Sequence, residues 1–214
     1  MPHPPRKNGP QASASIQMLD AYPMRLIFIS FLIMAMVSCS KKHSAPMVHF
    51  DPSDFHLSKT EIQTLAPNEL RSKAFGVIMN VFEAKKVEDW SGAAKSLPQS
   101  WRALYTALEL QSEVANGGFH QYFYNTRCQL IEETRADLRF IGATEFLDIF
   151  EKAVAGIDIK YYTSPKRGED DWNKFTTKYA DQQWDDLEKR FYAQKPELEG
   201  VAIAHIKAHP DEYE

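Results

Sequence analysis

Apolar residues recur at helical spacing through most of the chain after residue 57. The first stripe repeats at i, i+4, i+7 and i+8, which puts its members on one face of an amphipathic helix. It consists of Leu70, Ala74, Val77, Ile78, Val81 and Phe82. Similar stripes follow at 101–108, 130–141, 146–157, 180–191 and 198–208. No segment alternates at period two for long enough to predict a strand. The pattern predicts an all-α fold, a single compact domain of about six or seven helices.

The N-terminal region has a different pattern. Residues 26–37 form a continuous apolar run that follows Arg25. At about 1.5 Å per residue, this run is much shorter than a ~30 Å hydrocarbon core. It therefore predicts the apolar region of a signal peptide rather than a membrane-spanning helix. We expect translation to start at Met24 or Met18, because the proline-rich residues before them do not resemble a signal peptide. Residues 1–38 are predicted to be a leader.

Residues 36–39 resemble a bacterial lipobox, in which a small residue precedes a cysteine directly after the apolar run. The resemblance implies cleavage before Cys39 and lipid attachment to it; an uncleaved signal anchor is the alternative. Ser40 resembles an outer-membrane sorting signal, so we expect a lipid-anchored protein of the bacterial envelope that faces the periplasm. Residues 39–57 are polar and contain prolines, which predicts a tether, and residues 58–214 form the helical domain.

Composition limits the classes of function. The 214 residues are 43% hydrophobic and carry a net charge of −4, which allows a core but gives no basic surface for direct nucleic-acid binding. Cys128 is the one thiol besides Cys39, and we expect a small packed residue rather than a nucleophile. His205 and His209 have the spacing of metal ligands but lack a suitably spaced third ligand, so we expect cations at a helix C-terminus. No catalytic residue, metal site or cofactor is predicted.

The most unusual segment carries no charge. Although 25% of all residues are charged, residues 116–126 contain none, and they hold two adjacent glycines and four aromatic residues. The glycines are predicted to end one helix and form a corner into the next. One arc of the second helix should pack inward and consists of Phe119, Tyr122 and Phe123. The opposite arc carries the candidate binding residues, His120, Gln121, Tyr124 and Asn125.

These residues carry a resemblance to a known family. The motif at 113–125, with its flanks at 97–101 and 141–143, resembles the DNA-mimic-protein-like family over about residues 65–195. In that motif Gly117 and Gly118 form the centre. The resemblance implies an all-α fold without catalytic residues, and one branch of the family imitates DNA to sequester a transcription factor.

Imitation of DNA requires carboxylates that are spaced like phosphates. Asp181, Asp185 and Glu188 lie at i, i+4 and i+7 and are predicted to share one helix face. Basic residues follow directly, so an ordinary solvated helix face is an equally good interpretation. Export is a further objection, because a lipid-anchored protein does not meet a cytoplasmic repressor.

Three functions remain as hypotheses. The first is a non-catalytic binding module that recognises a protein or cell-envelope component through its uncharged polar residues. The second is the DNA mimic. The third is a hydrolase-like enzyme with His120 as general base near Glu113 or Tyr124. A structural interpretation of the polar arc is also open, in which its amides satisfy buried backbone groups.

Overall fold

The computed structural model describes residues 48–163, 173, 176 and 183–214, and within them the regular elements are helices without any strand. Six of these helices span nine or more residues, so the prediction of an all-α domain is confirmed. In chain order they are α1 Lys59–Thr64, α2 Pro67–Ala84, α3 Trp90–Ala94, α4 Gln99–Thr126, α5 Ile131–Phe140, α6 Thr144–Ala155, α7 Ile159–Tyr162, α8 Asp185–Ala193 and α9 Leu198–Ala208. Short 3-10 turns lie at Pro52–Asp54 and Pro210–Glu212.

The first helices begin at signals that are local in sequence. Ser58 and Glu61 form a capping box, in which each side chain accepts a hydrogen bond from the other residue's backbone N–H. Pro67 is the first residue of α2, a position where its missing N–H costs no hydrogen bond. The buried residues of α2 repeat at i, i+4, i+8 and i+12 and belong to the stripe that the sequence predicted. They are Leu70, Ala74, Ile78 and Phe82.

Helix α4 is the centre of the domain, because α2, α3, α5, α8 and α9 all pack on it. It is joined to α5 by an ion pair. The guanidinium of Arg102 donates to both carboxylate oxygens of Asp137 at 2.9–3.2 Å, and the Asp137 side chain is only 1% exposed. The hydroxyl of Thr106 donates to the same carboxylate at 3.1 Å. Removing one partner would leave the other charge buried without compensation, so this pair fixes α5 on α4.

The segment before α1 belongs to the domain, which corrects the predicted tether. Phe50, Phe55 and Leu57 are 4%, 2% and 0% exposed. The ring of Phe55 lies 5.5 Å from that of Trp101 in α4, and the N–H of Leu57 donates to the carbonyl of Tyr213 at 2.8 Å. The prediction of a tether over 39–57 is therefore wrong for its C-terminal part, because isolated apolar residues in a polar segment reach the core.

The C-terminal helix α9 has the predicted bounds, but one of its histidines differs from expectation. His205 is 8% exposed, and burial lowers its pKa, so the neutral imidazole is favoured over the predicted cation. The turn at Pro210–Glu212 follows α9 and brings Tyr213 into the core beside Trp101. Both ends of the described domain therefore meet at the N-terminal part of α4.

Several predictions concern residues outside the part of the chain that the structure describes. They are the leader 1–38, the lipid site Cys39, the first part of the tether and the acid Asp181. Among the described helices, none combines the length and the apolar character needed to cross a bilayer.

The packing of Phe55 gives a test of the corrected boundary. We expect Phe55→Ala to lower the free energy of unfolding by about 3–5 kcal/mol, because it leaves a cavity against Trp101. The neighbouring His56→Ala removes an exposed side chain and should change stability by less than about 0.5 kcal/mol. Urea denaturation of both variants measures the difference, and equal stability of the two would mean that this segment is not part of the fold.

Candidate functional site at the break in helix α4

The glycine pair interrupts α4, as the sequence predicted. Gly117 has φ −166° and ψ 31°, and Gly118 has φ 72° and ψ −174°, so neither is helical. Helix α4 thus consists of a long part before the glycines and a short part, residues 119–126, after them. The side chains of Phe119, Tyr122 and Phe123 are fully buried, which confirms the predicted inward arc.

The two glycines are needed for different reasons. The backbone angles of Gly118 lie in a region that is populated almost only by glycine. A Cβ there would also overlap Oε1 of Glu188. The φ of Gly117 is extended and open to any residue, but a Cβ at this position would overlap Oε1 of Gln121. Gly118 is therefore required by its backbone conformation, and a side chain at either glycine would displace a polar group of the network.

Helix α8 supplies partners for backbone groups on both sides of the break. An interrupted helix leaves N–H groups after the break and C=O groups before it without regular partners. The carboxylate of Glu188 accepts from the N–H of Phe119 at 3.0 Å, and the hydroxyl of Tyr192 donates to the carbonyl of Val114 at 2.5 Å. Glu188 and Tyr192 are four residues apart and so lie on one face of α8. Burial raises the pKa of Glu188, and the bond from Phe119 partly opposes this rise.

The amides of the motif converge on one carboxylate. Nδ2 of Asn125 donates to Oε2 of Glu113 at 2.7 Å, and the side chain of Gln121 hydrogen-bonds to the same residue. Burial raises the pKa of Glu113, while these two amides lower it in part. Because Gln121 occupies the space over Gly117, the missing side chain at Gly117 lets the amide reach back to Glu113. Two of the four candidate residues thus belong to a network that spans the break.

A second carboxylate lies one turn before this network. Burial and, to a smaller extent, the negative charge of Glu113 together raise the pKa of Glu109 to about 8. Glu109 is half-buried, and no ion pair to it occurs among the described residues. At neutral pH a carboxyl group with this pKa is largely protonated. A cation close to Glu109 would therefore favour the loss of its proton.

His120 lies apart from these carboxylates in an aromatic cluster. It is 5% exposed, and Nδ1 lies 2.5 Å from the hydroxyl of Tyr162. Its ring also stacks on that of Tyr161 at 6.2 Å and lies 6.5 Å from that of Trp184. Within the described part of the chain, His120 thus contacts aromatic residues, whereas Glu113 bonds to the amides of Gln121 and Asn125. The structure does not bring these two together as base and orienting acid.

The four candidate residues therefore differ in accessibility, since Gln121, Tyr124 and Asn125 are half-buried while His120 is buried. Sequence reasoning missed Glu109 and Tyr192, and it assigned Glu188 to an acidic surface rather than to the helix break. A signal for Glu109 was available, because Glu109 and Glu113 stand at i, i+4, where like charges are unfavourable on a solvated helix. No local sequence pattern indicated that side chains of α8 would bond to the backbone at the break in α4.

The described part of the chain holds no group of three or more His, Cys, Asp or Glu side chains that could bind a metal ion. Burial raises the pKa of the half-buried Cys128 to about 12, so its reactive thiolate form is rare at neutral pH. The arrangement supplies polar recognition groups and a carboxyl group with a raised pKa. Among the described residues it does not pair a nucleophile with a base.

The break gives a test of the network. We expect Gly118→Ala to destabilise the domain by at least about 1–3 kcal/mol, because alanine is strained at this backbone conformation and its methyl group displaces Glu188. Gly76 is the matched control, since it lies inside α2 with open space around it. Gly76→Ala should be neutral or stabilising by about 0.5–1 kcal/mol. Thermal denaturation of both variants gives the comparison, and an unaltered melting temperature for Gly118→Ala would contradict this account of the break.

Comparison with known proteins places this site in a family. The model of the DMP19-like protein family matches residues 95–209, which include the broken helix, the network and α8. No curated protein matches the chain, and no solved structure matches it. The match extends over more than half of the chain, and the chain therefore belongs to the DMP19-like protein family.

Proposed function

We propose that this chain is a non-catalytic binding module, held at the bacterial envelope by a lipid on Cys39, that recognises a basic group of a protein partner through Glu109 and Glu113. The carrying observation is the half-buried Glu109, which has a raised pKa and no ion pair within the described part of the chain. The match to the family covers both Glu109 and Glu113.

The geometry around His120 argues against the hydrolase hypothesis. A general base must reach its substrate, and His120 is 5% exposed. Its Nδ1 already lies beside the hydroxyl of Tyr162, and both groups sit within the aromatic cluster. Cys128 offers no activated thiolate. Recognition, which needs positioned polar groups and no nucleophile, fits these residues better.

The carboxylate pair indicates the chemistry of the partner. Burial is the larger cause of the raised pKa of Glu109, and repulsion from Glu113 adds to it, because two carboxyl groups one helical turn apart repel each other when both are ionised. A lysine or arginine side chain of a partner would relieve this repulsion and allow Glu109 to lose its proton. Binding would then release a proton, and affinity would rise with pH up to about 8 and level off above it.

The DNA mimic stays as the second candidate, because the family resemblance suggests it. A phosphate-like array needs free carboxylates, yet Asp148 is paired with Lys152 and Arg190. Glu188, one member of the predicted acidic face, accepts a hydrogen bond from the N–H of Phe119. These contacts favour the carboxylate pair over an extended acidic surface as the recognition element.

The anchor is tested by changing each cysteine separately. Cys39→Ser should abolish incorporation of radioactive palmitate and shift the protein out of the membrane fraction, because the acylated residue is lost. Cys128→Ser is the matched control and should keep both label and fractionation. Label that persists in Cys39→Ser, or is absent from the wild type, would refute the anchor.

The recognition surface is tested by replacing a carboxyl group with an uncharged amide. Glu109→Gln keeps the volume and should fold, but it should lose partners that the wild type captures from envelope extract, with the wild type binding more at pH 8.5 than at pH 6.5. The control Glu145→Gln removes an exposed acid of α6 and should retain every partner.

Equal capture by all three proteins would refute the role of Glu109. A gel shift with captured DNA-binding proteins separates the alternatives. If the domain displaces DNA from such a protein and Glu109→Gln does so equally well, the DNA mimic is favoured.

A further inference from the structure

The C-terminal end of α9 contains a buried imidazole beside a carboxylate. His205 is 8% exposed, and its Nε2 has no hydrogen-bond partner among the described residues. Oε2 of Glu212 lies 3.6 Å from this nitrogen, which is too long for a good hydrogen bond. The ring of Phe140 covers the imidazole edge-on at a centroid distance of 4.7 Å, so an added proton would enter a site that is largely removed from water.

The turn that carries Glu212 connects three parts of the domain. The carbonyl of Glu212 accepts from the hydroxyl of Ser100 at 2.8 Å, at the start of α4. The next residue, Tyr213, donates its hydroxyl to the carbonyl of Ser100 at 3.3 Å. Its own carbonyl accepts from the N–H of Leu57 at 2.8 Å, the last residue of the segment before α1. A shift of this turn therefore reaches both α4 and the segment at 48–57.

We propose that His205 is an acid-sensitive latch, whose protonation releases the turn at Pro210–Glu212 and, through Tyr213, loosens the segment at 48–57. The latch is closed while the imidazole is neutral. It opens when the imidazole is protonated, because the charged ring is more stable in water than between Phe140 and Tyr213.

The neighbouring charges determine the direction of the effect. Burial lowers the pKa of His205 below the ordinary 6.5, and His209, whose ring lies 4.4 Å away, lowers it further. Glu212 acts in the opposite sense and raises it only in part. On the outer side of the turn, Lys59 of α1 is paired with Asp211 and Glu214. From α5 the contact to the imidazole is the apolar Phe140.

Because the closed state has the lower pKa, the open state binds more protons as the pH falls below 6.5. The stability of the latch is therefore fully present above pH 6.5. It decreases on acidification until the pH reaches the pKa of the closed state. Each unit of pKa difference between the two states changes the latch equilibrium about tenfold.

The test is amide hydrogen exchange of the full chain, read at the N–H of Leu57, which bonds to Tyr213 across the latch. Protection factors, which remove the intrinsic pH dependence of exchange, are compared at pH 7.5 and pH 5. We expect the wild type to lose protection at pH 5 and His205→Phe to keep it, because phenylalanine fills the site without a titrating group. His49→Gln removes an exposed histidine and should behave as the wild type does.

A second variant keeps the test decisive if His205→Phe does not fold. Glu212→Gln removes the carboxylate that favours the charged imidazole, so its loss of protection at pH 5 should exceed that of the wild type. Protection that is equal at both pH values in the wild type would overturn the latch. A loss that is unchanged by His205→Phe, or is smaller in Glu212→Gln, would overturn it as well.

Discussion

The hydrogen bond from the N–H of Phe119 to Glu188 is the interaction on which the arrangement of the site depends. Helix α4 supports most of the other helices, and it is broken in the middle. A broken central helix is stable only if its freed backbone groups find partners. Glu188 and Tyr192 supply two of them from α8, and their spacing on that helix matches the two sides of the break. The break in turn gives Gln121 the space to reach Glu113.

Structural and recognition roles are therefore divided among the polar residues. Gln121 and Asn125 bond to a carboxylate of their own helix, so their first role is to stabilise the broken region. The carboxyl group of Glu109 has no ion pair within the described residues, and its raised pKa keeps it largely protonated at neutral pH. Ionisable groups with a strongly raised pKa are common where a protein binds something. We therefore place the proposed contact with a partner at Glu109 and Glu113, and not at the uncharged arc that follows them in the chain.

Local sequence patterns predicted the helices well but not the long-range contacts. The stripe from Leu70 to Phe82 and the interruption at Gly117–Gly118 follow from spacing and backbone freedom, which are encoded nearby in the chain. The inward arc of Phe119 followed from the same periodicity. The burial of Phe55 did not, because a single aromatic residue in a polar segment gives no periodic signal. Nor did the role of Glu188, which depends on a helix far away in sequence.

The contact between Gly118 and Glu188 also restricts how such a protein can change over evolutionary time. Phe119 and Glu188 are separated by 69 positions, yet the acid side chain fills the volume that any larger residue at Gly118 would need. Because Gly118 is also required by its backbone conformation, a larger residue there is tolerated only where the helix break itself is lost. Across related chains we expect these positions to vary as a pair, and a lineage that straightens its central helix should be free to lose the acid on α8.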